Sequence, residues 1–123
     1  MTDHDADIRR LVLPPLELVR STVPETALIE ELDLGWQAGV RADVVLVSPK
    51  CMHGYEIKAR KDTLRRLQKQ VDGYGAVCDL VTIVTVAEHL AGVVRIVPAW
   101  WSITLAWEGA LRLEREGWTN PAP

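Results

Sequence analysis

A chain of 123 residues with 48% hydrophobic and 25% charged residues has the size and composition of one globular domain with a real core. No run approaches the roughly 20 apolar residues needed to span a membrane, and the acidic start Met-Thr-Asp-His-Asp-Ala-Asp lacks the basic-then-apolar order of a secretory signal. The missing apolar run points to no membrane partner; Cys51 and Cys78 have no metal-ligand spacing and read as reduced thiols, which points to the cytoplasm.

The net charge of −3 is unevenly distributed. Residues 1–40 carry eight acids against three arginines. Residues 50–69 carry Lys50, Lys58, Arg60, Lys61, Arg65, Arg66 and Lys69 against only Glu56 and Asp62. Such a local basic surface attracts phosphates even when the total is negative, and a solvated helix face explains it equally well.

In chain order, Ile8, Leu11, Val12, Leu16 and Val19 have helical spacing, interrupted by Pro14-Pro15. Neither proline can donate an amide, so two short helices or one bent one are expected. Leu28 to Leu34 reads as a strand, with Leu28, Leu32 and Leu34 on one face and Glu31 and Asp33 on the other. Residues 35–39 read as a loop. Arg41 to Val47 is β-prone through Val44, Val45 and Val47. Ser48-Pro49-Lys50-Cys51 suits a turn, and a strand over about Gly54 to Ala59 follows.

Leu64, Leu67, Val71, Tyr74 and Cys78 step by three and four, which predicts a helix over 63–77 capped by Asp62 or Thr63. Leu80 to Val86 is almost wholly aliphatic or β-branched, as in a strand covered on both faces. Strand, helix and strand together predict a right-handed crossover with parallel strands. A short helix over about Ala87 to Val94 and a hairpin of Ser102–Trp107 and Ala110–Arg115 around Glu108-Gly109 complete the pattern, ahead of an irregular tail. The fold class is α/β: a small mixed sheet with a C-terminal hairpin, flanked by helices.

Placing the hairpin turn between Pro49 and Lys50 sets Asp43 opposite Glu56, with β-carbons roughly 5 Å apart. Lys58, two residues on, joins the same face while Ile57 points into the core. A slip of one residue would put Asp43 on the other face. Two carboxylates so close repel unless a cation lies between them, and a hard ion such as Mg²⁺ uses one or two carboxylates plus waters and substrate phosphate. Against this, Glu-x-Lys is common on strands, where it forms a solvated ion pair worth little.

Asp43, then Glu56-Ile57-Lys58, then a helix with Gln70 and Tyr74 resembles the PD-(D/E)XK nuclease superfamily. There an Asp begins one strand of a hairpin, a (D/E)-x-K tripeptide lies on the next, and the following helix often offers Gln-x-x-x-Tyr. The chain is more closely similar to small stand-alone bacterial and phage members. Their typical pattern is Arg-x-Asp, Gly-(Phe/Tyr)-Glu-Ile-Lys and Asp-Thr-Leu-x-Arg-Leu-x-x-Gln-x-x-x-Tyr. It is met here by Arg41-Ala42-Asp43, by Gly54-Tyr55-Glu56-Ile57-Lys58, and by Asp62-Thr63-Leu64-Arg65-Arg66-Leu67-Gln68-Lys69-Gln70 with Tyr74. Val97-Pro98-Ala99-Trp100-Trp101 and Asn120-Pro121 extend the likeness over nearly the whole chain.

The resemblance implies a restriction-endonuclease-like core and one nuclease-like domain over 1–123, hydrolysing DNA phosphodiesters with Mg²⁺ or Mn²⁺. Asp43 and Glu56 would bind the metal, with the Ile57 backbone carbonyl as a third ligand. Lys58 would be the catalytic lysine, and Gln70 would point at the site to position water, lysine or phosphate. An upstream acid often completes such sites; Glu31 is the candidate, with Glu30 and Glu17 open. Ala42 stands in place of the superfamily's Pro.

Other residues have lesser roles. Tyr74 supports the site from the core, its hydroxyl nearby. Arg41, Arg65, Arg66 and Lys69 are candidates to hold a nucleic-acid backbone without sequence preference, Arg41 otherwise pairing with an acid. Trp100-Trp101 reads as core or a dimer contact, Asp62 as a helix cap, His53 as a surface histidine near the turn, and His4 and His89 as structural or solvated. The partner is nucleic acid, DNA foremost, with a homodimer or a protein partner open. The alternative function is a nuclease-fold module that binds DNA or a protein, such as a phage-encoded inhibitor, without turnover.

Overall fold

A computed structural model describes residues 2–35 and 39–122. Within them lie helix α1 (Asp5–Thr22), strands β1 (Ala27–Asp33), β2 (Arg41–Ser48) and β3 (Cys51–Lys58), helix α2 (Leu67–Val77), strand β4 (Leu80–Thr85), helix α3 (Ala87–Ile96), and strands β5 (Ser102–Trp107) and β6 (Ala110–Arg115). All six strands form one sheet in sequence order. β1–β2, β2–β3 and β5–β6 pair antiparallel, while β3–β4 and β4–β5 pair parallel. The expected α/β fold is therefore present, and α1 to β4 follow the order helix, three antiparallel strands, helix, parallel strand. The loop predicted at residues 35–39 falls mostly on Trp36, Gln37 and Ala38, outside the described residues.

Two apolar layers sandwich the sheet. Ile8, Val12 and Leu16, every fourth residue of α1, pack on Val44, Ile57, Val84 and Ala106. On the other face Leu67 and Tyr74 of α2 and Val93 of α3 pack on Val45, Val81, Ile83 and Ile103, with Trp101 fully buried among them. Each such aliphatic side chain contributes about 1.5–3 kcal/mol on burial. The Trp100-Trp101 pair is thus core. No helix among the described residues is long and apolar enough to cross a membrane.

Several boundaries differ from those the pattern predicts, for local reasons. α1 runs unbroken through Pro14 and Pro15. Both prolines are exposed, so the carbonyls they leave without amides can turn to water, while the buried stripe on the opposite face holds both halves to the sheet. β3 begins at Cys51, three residues before expectation, so His53 lies within the strand rather than beside the turn. α2 begins at Leu67 instead of residue 63. Asp62 is no helix cap: its Oδ2 accepts the Ala59 amide at 2.7 Å, closing the turn that leaves β3.

The largest departure is at Glu31, which adopts a left-handed φ of 56°. For a residue with a Cβ this costs on the order of 1–3 kcal/mol. It reverses the side-chain alternation of β1: Leu28 packs on the α1 side, Leu32 and Leu34 on the opposite side. The three leucines predicted to share a face therefore do not. The hairpin register, by contrast, runs Ser48↔Cys51 to Val44↔Tyr55, as a turn centred between Pro49 and Lys50 requires.

Candidate active site

One step beyond the Val44↔Tyr55 pair the β2–β3 ladder opens, and the next two residues in register are Asp43 and Glu56. The opening is held by side chains. Asp43 Oδ2 accepts the Ile57 amide at 2.7 Å, taking the place of a main-chain carbonyl. The Tyr74 hydroxyl, delivered by the apolar stripe of α2, enters from the other helix layer and accepts the Asp43 amide at 3.2 Å. It shares its own proton between Glu56 Oε1 at 2.8 Å and the Tyr55 carbonyl at 3.1 Å. Gly54 makes room: a Cβ there would lie 2.7 Å from the Tyr74 ring.

Lys58 completes the group, its ammonium 3.5 Å from Glu56 Oε2. Glu56 and Lys58 are 2% and 7% exposed, which removes the reading of a solvated ion pair on an open strand face. Ile57 points to the α1 layer as predicted. Because the N–H and C=O of one strand residue project to the same edge, its carbonyl is turned toward the Asp43 side along with its amide.

The electrostatics follow from this burial. Withdrawal from water, and then the charge of Asp43, push the Glu56 carboxyl up to about 8, against the pull of Lys58 and the Tyr74 hydroxyl. Burial likewise pushes Asp43 up to about 6; the Ile57 amide and Arg9 oppose it, and Asp5 and Glu31 reinforce it. Burial drives Tyr74 far above the ordinary tyrosine range, keeping it a neutral donor. Both carboxyls are raised chiefly by burial, which disfavours their charged forms, and a divalent cation beside them would favour ionisation again. Asp43, Glu56 and the Ile57 carbonyl are oxygen donors of the kind that Mg²⁺ or Mn²⁺ takes. Among the described residues no three His, Cys, Asp or Glu side chains form a ready-made metal cluster.

Asp43 opens onto a polar pocket of about 350 Å³, lined among the described residues by Glu31, Gly39, Arg41, Asp43, Arg66 and Gln70. Gln70 thus lines the pocket with Asp43, whereas Glu56 and Lys58 are not part of its lining; the Gln70 Oε1 is buried with no hydrogen-bond partner among the described residues. Arg66 donates to the Gly39 carbonyl at 3.2 Å, and the Lys69 ammonium lies against Gly39. Arg41, Arg66 and Lys69 therefore ring one mouth, while Arg65 is exposed and outside the pocket lining. Glu31 reaches the rim, where Arg9 binds its Oε2 at 3.0 Å. Glu30 also goes to Arg9, and Glu17 pairs with Arg20 on the exposed side of α1. His53 is no free surface histidine: its ring stacks on Tyr55, Nε2 meets Thr82 Oγ1 at 2.8 Å, and burial lowers its pKa to about 4.

Arg9 is the site residue that pattern reading missed. Its guanidinium contacts Asp5, Glu30, Glu31 and the Asp43 carbonyl, and lies 3.7 Å from Asp43 Oδ1. The one local signal was Asp5, four residues earlier on the same helix face.

These features define an α/β protein with a sheet between two helix layers and an acid–lysine centre where two strands part. Residues 2–121 match the family described as bacteriophage P4 protein cII, and the chain belongs to that family. No protein of curated function matches it. Among solved structures it is similar to a protein of unknown function from Silicibacter pomeroyi, at 23% identity and a TM-score of 0.60, over 90% of this chain and 71% of that one. That likeness is one of fold.

Proposed function

We propose that this protein is a metal-dependent nuclease of the PD-(D/E)XK type, hydrolysing DNA phosphodiester bonds at Asp43, Glu56 and Lys58. The observation that carries the reading is the gap where β2 and β3 part: there the Asp43 carboxylate accepts the Ile57 amide, the Tyr74 hydroxyl accepts the Asp43 amide and donates to Glu56, and the Lys58 ammonium lies 3.5 Å from Glu56. A bound Mg²⁺ or Mn²⁺ would lower the pKa of a water and offset charge on the phosphate.

The chain's own groups do the remaining work. Asp43 and Glu56 are the anionic ligands, and the Ile57 carbonyl adds a neutral one. Tyr74 fixes the Glu56 carboxylate by donating to it, and the Ile57 amide fixes Asp43. Lys58, with little freedom in its buried position, donates to the attacking water and to the phosphate oxygens as negative charge builds there. Gln70 Oε1 offers an acceptor for that water. The water oxygen, giving up a proton to solvent, forms the new P–O bond as the P–O bond to the leaving sugar oxygen breaks and that oxygen takes a proton from solvent. Arg41, Arg66 and Lys69 hold flanking phosphates, so binding is independent of sequence and weakened by salt.

The test incubates purified protein with linear, circular and single-stranded DNA in Mg²⁺, Mn²⁺ or EDTA, beside Lys58→Ala and Asp43→Ala. Metal-dependent cutting absent from both variants supports the proposal. Undiminished cutting by the variants identifies a contaminating nuclease. A second reading, a nuclease-fold module that binds DNA or a protein without turnover, is favoured by one observation: Arg9 already places a positive charge beside Asp43 and Glu31. DNA or protein binding with no cutting under any condition selects that reading.

A further inference from the structure

Glu56 and Lys58 are almost wholly buried, and Asp43, with 18% of its side chain exposed, is where the centre meets solvent. Substrate therefore approaches through the pocket of about 350 Å³ that Asp43 lines. That volume lies at the small end of ligand pockets, roughly 300–1,000 Å³. It has the size of one nucleotide, and a base-paired duplex is too wide to enter. The lining is mixed in sign: Arg41 and Arg66 supply guanidinium donors, while Glu31 and Asp43 supply carboxylates. A groove that only tracked a nucleic-acid backbone would be uniformly basic. Arg41 is exposed and Arg66 is anchored through Nη2 on the Gly39 carbonyl, so guanidinium donors remain for a phosphate. Gln70 Oε1 is buried in the same lining with no hydrogen-bond partner among the described residues. An amide oxygen has two lone pairs, so beside the attacking water it can accept an N–H from the substrate. The N–H groups on the Watson–Crick edge of a base are free to donate only when that base is unpaired.

We infer that this pocket is a subsite for one unpaired nucleotide, its base edge donating to Gln70 Oε1 and its phosphate held by Arg41 and Arg66. The preferred substrate is then single-stranded DNA or a frayed end, and continuous duplex is a poor one. This rests on the nuclease reading of Asp43, Glu56 and Lys58. The recess of the centre supports it from a second side. A flexible strand can carry its phosphate past the rim to Asp43, whereas base pairs hold a duplex phosphate outside.

The experiment is fluorescence anisotropy of the full chain in EDTA, so that nothing is cut, with three labelled probes. They are a short DNA strand of mixed sequence, the same strand annealed to its complement, and the same sugar–phosphate chain without bases. Wild type should bind the strand about tenfold more tightly than either the duplex or the abasic chain. Gln70→Leu should bind the strand about fivefold more weakly than wild type, and the abasic chain as wild type does. Arg41→Ala, at an exposed position, should weaken strand and abasic chain alike and keep the gap between them. Duplex bound as tightly as the strand overturns the inference, as does a Gln70→Leu protein that binds the strand like wild type, or no binding of any probe. If Gln70→Leu does not fold, the strand-to-abasic gap in wild type and Arg41→Ala decides, and its absence from either overturns the inference. Cutting in Mg²⁺ or Mn²⁺ is scored separately. The expected binding pattern without cutting removes the nuclease reading and leaves the subsite, whereas cutting without a preference for the strand removes the subsite alone.

Discussion

Tyr74→Phe deletes one oxygen from the point where β2 and β3 part. The ring should stay in place, since it meets Trp101 edge-on at 5.5 Å and lies in the space left by Gly54. The loss is therefore confined to the hydroxyl. The Asp43 amide, 3.2 Å from it, is left without an acceptor, and Glu56 loses its 2.8 Å donor. Orphaning a buried polar group costs about 1–3 kcal/mol; with the Asp43 amide orphaned outright and Glu56 still held by Lys58, the fold should be destabilised by about 2–4 kcal/mol. With an unfolding entropy of roughly 2.1 cal/mol/K for each of 123 residues, that lowers the melting temperature by about 8–15 °C. The assay is a circular-dichroism melt at pH 7 in EDTA. Tyr55→Phe serves as control, because among the described residues its hydroxyl meets only His53 Nδ1, at 3.2 Å, and its loss should cost no more than about 1 kcal/mol. A Tyr74→Phe protein melting within about 3 °C of wild type would refute the claim that this hydroxyl braces the opened ladder.

Three further outcomes follow from the same geometry. His53 has its folded pKa lowered from an ordinary 6.5 to about 4, so the stability of keeping it neutral is complete above pH 6.5 and is lost as pH falls toward 4. Wild type should lose about 3 kcal/mol relative to His53→Gln across that window in urea titrations, and parallel pH curves would contradict this. Glu56 is the opposite case: its pKa is raised from 4.5 to about 8, so the folded state keeps a proton that the unfolded chain releases. In EDTA, wild type should therefore lose stability relative to Glu56→Gln as pH rises from 4.5 to 8, by roughly 3 kcal/mol at pH 7; a gap that shrinks with rising pH would reverse the assigned sign. Gly54→Ala should cost about 1–3 kcal/mol, because its Cβ would meet Tyr74 at 2.7 Å and the Cys78 Sγ at 3.0 Å. Gly75→Ala, with open space on the same helix, should instead gain up to about 1 kcal/mol; thermal melts in the reverse order would show that Tyr74 is not tightly seated.

The parts of this protein that could be read from sequence depend on short-range rules. Alternation and the Pro49-Lys50 turn set the β2–β3 register, and that register brings Asp43 level with Glu56 one step beyond its last pair, with Ile57 turned to the α1 layer. The periodic stripe of α2 and the aliphatic run of β4 likewise predict the parallel crossover between them. The misread features are those in which a local preference gave way to a distant partner. Asp62 closed a turn with Ala59 instead of capping α2. Pro14 and Pro15 stayed helical because the buried face of α1 is anchored on the sheet. Glu31 took a left-handed backbone beside an arginine more than twenty residues earlier.

The site divides in the same way. Which carboxylates and which lysine could meet was decided by strand periodicity, a property of the chain read one residue at a time. Their state was decided only by the tertiary structure. Two helix layers closing on the sheet withdraw Glu56 from water and raise its pKa, and they carry Tyr74 in from one side and Arg9 from the other. Burial and long-range charge depend on what every other element packs against, so no local pattern encodes them.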